Sequence, residues 1–177
     1  MKKTLKITFC GIIAAFSVVI MLLAYFPYFT YAVPAIAGAL TVIIFIEVGA
    51  KWSVAVYLVT SLLCLIFAEP EAKLMYILFF GYYPILKVYI EHIKAKTVQI
   101  IVKLAVFNIS VLSVYLLFAG IVGISTAEFT KYGTYGLIGL LVLANFTFVL
   151  YDLMLVRLTN MYLMKFHSRI SKLIKKG

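Results

Sequence analysis

Apolar residues fill this chain in long runs, and polar residues interrupt them only briefly. Charged residues and prolines divide it into six apolar stretches. They cover residues 7–26, about 31–48, 52–68, 74–90, about 98–124 and about 135–155. Within them, segments such as "GIIAAFSVVIMLLAYF" show no period-two alternation. A membrane β-barrel requires that alternation. Backbone groups in hydrocarbon must pair within their own segment or in a closed barrel, so the runs predict transmembrane helices. A crossing takes about 20 residues. The first, fifth and sixth runs meet that length directly, and the second, third and fourth need their flanking residues. The pattern predicts an all-α integral membrane protein of six transmembrane helices in one bundle over residues 1–164. A basic amphipathic tail is expected over 165–177, "KFHSRISKLIKKG".

Composition agrees with this reading. The chain has 177 residues, 66% hydrophobic and 12% charged, about half the charge of an ordinary soluble domain. Its net charge of +10 suggests nucleic acid until the cations are placed. With the N-terminus inside, fourteen of the sixteen Lys and Arg residues fall on cytoplasmic segments, and only Lys73 and Lys131 fall outside. That asymmetry predicts that both termini are cytoplasmic. It accounts for the charge without nucleic acid. Tyr25, Tyr28, Tyr31, Tyr132 and Tyr135 form an expected outer aromatic belt, and Trp52, Tyr82, Tyr83 and Tyr89 an inner one.

The start resembles a secretory signal. Its apolar run is too long, however, and no small-x-small site precedes Pro27, so an uncleaved first helix is expected. Cys10 and Cys64 lie within predicted helices, with neither disulfide nor metal spacing. No phosphate-binding loop or ATPase signature occurs. No metal cluster, cofactor site or catalytic set is visible, and the chain is expected not to be an enzyme. His92 and His167 read as solvated cytosolic residues.

Polar residues within spans are the default functional candidates. Glu47, Lys103, Asn108, Asp152 and Arg157 stand out. Glu47 precedes Lys51 by one turn and reads as its partner. Lys103 and Arg157 read as snorkelling anchors. Asp152 either caps a helix or pairs with another helix, or acts as a coupling or gating charge. Asn108 and Asn145 each read as facing the bundle and hydrogen-bonding to another helix, with ligand contact an alternative for Asn145. At the outer edge, "YFPYFTYAVP" and "AEPEAK" form either a belt and a solvated loop or a lid over a pocket. Substrate-binding candidates are Tyr28, Tyr31, Glu71, Tyr76 and Asn145. "FFGYYPILK" predicts a kink near Gly81, because Pro84 removes an N–H and crowds the Phe80 carbonyl. Gly11 and Ala15 give helix one a small face for close approach by another helix. "AIAGA" gives helix two a smooth stripe, and Gly133, Gly136 and Gly139 recur in helix six.

The opening "KITFCGIIAAFSVVIMLL" and the segment "YAVPAIAGALTVIIFIEVGAKWSVAVYLVTSLL" resemble the substrate-binding S components of energy-coupling factor (ECF) transporters, the bacterial vitamin and micronutrient importers. The likeness extends to chain size, six helices and internal termini. It implies capture of a small molecule from outside and delivery inward by a membrane coupling subunit and cytosolic ATPase subunits. It also implies that Gly11 and Ala15, as Gly-x-x-x-Ala rather than the usual Ala-x-x-x-Ala, dock the coupling subunit. Tyr82, Tyr83, Pro84 and Lys87 would complete a cytosolic docking surface. The alternatives are a structural or assembly protein without ligand, or an independent ion-coupled carrier using Glu47 or Asp152. In any of these the basic tail is expected to bind anionic lipid.

Overall fold

The structure, a computed structural model, describes residues 3–26, 28–122, 133–165 and 167, with side chains for all of these except 118–122, 133–137 and 140. Among the described residues the chain is all-helical, without strands. Helix α1 spans Lys3–Leu22 and ends in a 3₁₀ turn, Leu23–Tyr25. Then come α2 (Ala32–Glu47), α3 (Ala50–Phe67) and α4 (Pro70–Met75). Helix α4 continues as a π-helical segment, Tyr76–Phe80. Helix α5 (Tyr83–Ile90), α6 (Lys96–Val122) and α7 (Gly133–Lys165) complete the described chain. Five helical stretches are long and apolar enough to cross a membrane, and α2, at 16 residues, is shorter. The outer-belt residue Tyr132, the outer Lys131 and residues 168–177 of the tail lie outside the described residues.

The chain forms two compact units. The first comprises residues 1–89 and 155–177. Its α1 buries one stripe, Cys10, Ala14, Ser17 and Met21. Cys10 and Ala14 pack with Ile44 of α2 and Val56 of α3. Two turns further on, Met21 and Ala24 pack with Val33 and Ala37 of α2, Cys64 and Ala68 of α3, and Ala72 and Tyr76. Helices α1 and α3 are therefore parallel, and α2 is antiparallel to both. The α4–α5 segment follows the direction of α2, since its Ala72 sits with Val33 while Tyr89 meets Phe45 edge-on at 6.0 Å. Residues 155–162 of α7 also run parallel to α2. Leu155, Leu158 and Thr159 line a shallow groove with Ala39, Val42 and Ile43, and Tyr162 reaches Glu47.

The second unit comprises residues 90–154. Its α6 and the first part of α7 are antiparallel. Three pairings set that register: Lys103 with Asp152, Phe107 stacked on Phe148 at 4.7 Å, and Asn108 with Asn145. Gln99 Nε2 closes the preceding turn by donating to the Ile93 carbonyl at 2.7 Å. Ile100, Ile101, Ile109, Leu112, Val142 and Phe146 are exposed. In a helix rich in Leu and Ile, that exposure fits contact with lipid rather than water.

The fourth apolar stretch is where the predicted kink takes a definite form. The Gly81 N–H, which an α-helix would give to Ile77, goes to the Tyr76 carbonyl at 2.8 Å. The Tyr57 hydroxyl takes its place on the Ile77 carbonyl, also at 2.8 Å. Pro84 has no N–H to offer Phe80, and α5 starts afresh with the Tyr82 carbonyl accepting from Ile85 and Leu86. Gly38 of α2 lies directly against the Phe80 carbonyl, so a Cβ there would collide with backbone. Gly81 faces the Tyr57 ring at 2.6 Å from where its Cβ would stand. The segment is a π-helical turn followed by a break, buttressed by Tyr57.

Candidate functional site

Three groups of polar side chains in the first unit invite a functional reading. One lies at the end formed by the α1–α2 loop and the α3–α4 turn. Glu69 caps α4 by accepting from the Ala72 N–H at 2.9 Å, and Pro70 follows at the first helical position, the ordinary way to start a helix. Tyr25 Oη donates to the Phe67 carbonyl at 3.0 Å. Tyr31 Oη donates to Glu71 Oε2 at 3.4 Å, a long bond. Partial burial, and then the neighbouring Glu71 carboxylate, hold the Tyr31 phenol above its ordinary value. Lys73 Nζ donates to the Leu65 carbonyl at 3.4 Å. The two loops read as a lid are thus joined to one another. Tyr28 is 94% exposed and stands clear of them.

The second group lies in the core beneath this mouth. Tyr76 is fully buried, and so are Thr60 of α3 and Ser17 of α1. Their hydroxyl oxygens, with that of Ser61, have no hydrogen-bond partner among the described residues. Sequence reasoning named Tyr76 but missed the other three. Their signal was present: Ser17 falls on the buried stripe of α1, and Thr60 falls on that of α3 with Val56 and Cys64. Tyr57 was also missed, because a tyrosine within a span reads as ordinary apolar packing until its hydroxyl is seen to hold a carbonyl.

The third group surrounds Glu47, at the end of α2. Its side chain is only 3% exposed. One oxygen, Oε1, accepts from Tyr162 Oη at 2.7 Å and contacts His167 Nδ1 at 2.8 Å. The expected Glu47–Lys51 pair is not formed, and Lys51 is exposed. One-turn spacing holds only inside a helix, and Gly49, at φ +104°, reverses the chain between the two residues. His167, read as solvated, is 41% exposed and bound to this carboxylate. Buried carboxylates need such partners, because an unpaired charge in low dielectric is costly.

Basic residues gather at the Glu47 end of this unit, where α1 begins with Lys3 and Lys6, α3 with Lys51, and α7 ends with Lys165. The opposite end carries Glu69 and Glu71 with one cation, Lys73. Tyr83 and Pro84 are fully buried and Lys87 is 5% exposed. A docking role needs them at the surface, and they are enclosed, with Tyr83 stacked on Phe79 at 4.7 Å. Tyr82 is half-buried and edge-on to Tyr57. Gly11 and Ala15 do lie on the exposed face of α1, and nothing stands within 4 Å of where a Gly11 Cβ would be.

The second unit holds the remaining candidates. Lys103 Nζ bridges Asp152 Oδ2 at 2.8 Å and Glu91 Oε1 at 3.0 Å. The Lys103 and Asp152 side chains are 11% and 17% exposed. Asp152 is thus paired across helices. Asn108 and Asn145 exchange reciprocal amide bonds at 2.9 and 3.2 Å, and each also donates to its own helix, to Leu104 and Leu141. This commits the Asn145 amide to helix association. Arg157, in the first unit, is exposed, as a snorkelling cation would be. Among the described residues no group of three or more His, Cys, Asp or Glu side chains could hold a metal ion. Comparison with protein-family models, curated proteins and solved structures finds no match to this chain.

Proposed function

We propose that this protein is the membrane-embedded substrate-binding subunit of an ECF-type importer, capturing a small molecule at the outer surface and delivering it inward with a coupling subunit and ATPase subunits. The observation that carries the reading is the outward face of α1. That helix packs through Cys10, Ala14, Ser17 and Met21 and leaves Gly11 and Ala15 uncovered. A helix that packs on one face and also leaves small residues uncovered on the other fits close approach by another membrane helix. The remaining features accord with it. In this reading α2 is the sixth crossing. Sixteen residues at about 1.5 Å each give about 24 Å, and Tyr31 and Val48 extend it towards the interfaces. The alternation of α1, α2, α3 and α4–α5 fits an even number of crossings with both termini inside. Tyr28, Tyr31 and Glu71 would meet the arriving molecule, above buried Tyr76. The basic tail from residue 165 would rest on anionic lipid.

The test is direct. The protein is purified under mild detergent and denatured, and the released small molecules are identified by mass spectrometry. A released molecule that rebinds the purified protein, and that Glu71→Gln or Tyr28→Ala retains less well, supports the reading. No released molecule and no binding by a panel of vitamins contradicts it.

A second reading rests on Glu47. A 3%-exposed carboxylate bonded to a tyrosine and a histidine is an arrangement that proton-coupled carriers use. Glu47→Gln separates the two readings. In a proton-coupled carrier it abolishes uptake driven by a pH gradient. In the importer, ATP-dependent uptake persists.

A further inference from the structure

Hydroxyls in the described helices, buried or exposed, commonly donate to a backbone carbonyl, as buried Thr41 does to Gly38 at 2.7 Å and buried Ser53 to Thr41 at 2.8 Å. Thr8, Ser110, Ser113 and Thr147 each donate to the carbonyl four residues earlier, at 2.8–3.1 Å. That local bond is the usual resting place for a helical hydroxyl. Ser17, Thr60 and Ser61 do not make it, although the Ser17 and Thr60 side chains are fully buried. Tyr76, also fully buried, leaves its hydroxyl without a partner too.

These groups are not scattered. Ser17 lies one turn from Met21 on the buried stripe of α1, and Thr60 lies one turn from Cys64 on that of α3. Met21, Cys64 and Tyr76 belong to one apolar cluster. On the far side, Ala14 and Val56 belong to the other. Because α1 and α3 are parallel, Ser17 and Thr60 stand at one level between the two clusters. The Thr60 hydroxyl faces Tyr76 without meeting hydrogen-bond geometry. Ser61 faces Tyr57, whose own hydroxyl is committed to Ile77.

Three hydroxyls in one layer, with no charged group on the buried stripes around them, are costly if dry. A buried hydroxyl without a partner forfeits the hydrogen bonds that water gave it in the unfolded chain. A water molecule with two to four such partners removes that cost. We propose that the layer formed by Ser17, Thr60 and Tyr76 is an internal hydration site, in which ordered water bridges the three hydroxyls beside the π-helical segment. Water can donate and accept, so it completes groups from α1, α3 and the π segment that do not reach one another. It also lies where the backbone already departs from α-helical pairing, a place where inserted water is a recurring cause of helix distortion. The proposal does not depend on the importer reading.

Two measurements on the full-length protein in detergent test it together. Ser17→Ala, Thr60→Val and Tyr76→Phe each remove one hydroxyl with little change of shape. With bridging water, each lowers the thermal unfolding midpoint, and Thr60→Val with Tyr76→Phe is less destabilising than the sum. Radiolytic hydroxyl-radical labelling, which reads bound water in protein interiors, then modifies Tyr76 and Met21 in the folded protein. Thr60→Val reduces that modification, while exposed Tyr28 is unchanged. Substitutions that raise the midpoint would mean dry, unpaired hydroxyls and overturn the proposal. Coupling without labelling of Tyr76 would mean a direct Thr60–Tyr76 bond and overturn it equally.

Discussion

Lys103 shows at single-residue scale what polar groups cost inside this protein. Its ammonium is nearly enclosed and held by Asp152 and Glu91. Removing one member of a buried ion pair leaves a stranded charge, which costs on the order of 3 kcal/mol. Lys103→Met should therefore lower stability strongly. Lys103→Met combined with Asp152→Leu should recover most of the loss, because replacing the whole pair by apolar groups is often near neutral. Thermal unfolding of the four variants in one detergent checks this. The Asn108–Asn145 pair is gentler. Asn145→Leu should cost about 1 kcal/mol and leave ligand retention unchanged, since its amide serves the partner helix. A loss of ligand without a loss of stability would return Asn145 to the substrate site.

These residues also mark what the sequence could convey. That Asp152 needed a cap or a partner, and that Asn108 and Asn145 would each hydrogen-bond within the bundle, followed from their positions in apolar runs; that the two asparagines meet one another did not. The identity of the Asp152 partner did not, because register between helices is set by packing across the whole face. Glu47 was misread for a different reason. Spacing along the chain predicts contact only while the helix continues, and Gly49 ends it.

At the scale of elements, the run from Pro70 to Ile90 has a local logic of which only the outline was legible in its residues. Gly81 and Pro84 announced a distortion. They did not announce a π-helical segment, because the stabilising bond comes from Tyr57 on α3. Tyr57→Phe should strand the Ile77 carbonyl and cost about 1–3 kcal/mol, a larger loss than the same change at exposed Tyr28. Hydrogen exchange should then rise in residues 76–82 before it rises in α3. Gly38→Ala makes a complementary case. Its methyl would meet the Phe80 carbonyl, and forcing apart two packed backbones costs roughly 1–3 kcal/mol. Gly11→Ala, with open space around it, should be neutral or slightly stabilising in the isolated protein. If both alanines behave alike, the close approach of α2 to the π segment is wrong.

For the molecule as a whole, the apolar runs made the all-helical class legible, because a bilayer leaves the backbone so few choices. The lengths of the second and fourth elements were less legible. Helix α2 has 16 residues, and the fourth stretch divides into three pieces. Of the proposed docking residues, Tyr83, Pro84 and Lys87 are enclosed and Tyr82 is half-buried, and the importer reading depends on the uncovered face of α1. The most direct measurement is affinity purification of the tagged protein from its source organism, in its native form and as Gly11→Leu and Ala15→Leu. The account predicts that the native protein brings down an integral membrane subunit and cytosolic ATPases, and that both variants remain folded but lose them. A native protein that purifies alone, or variants that keep the same partners, would contradict it.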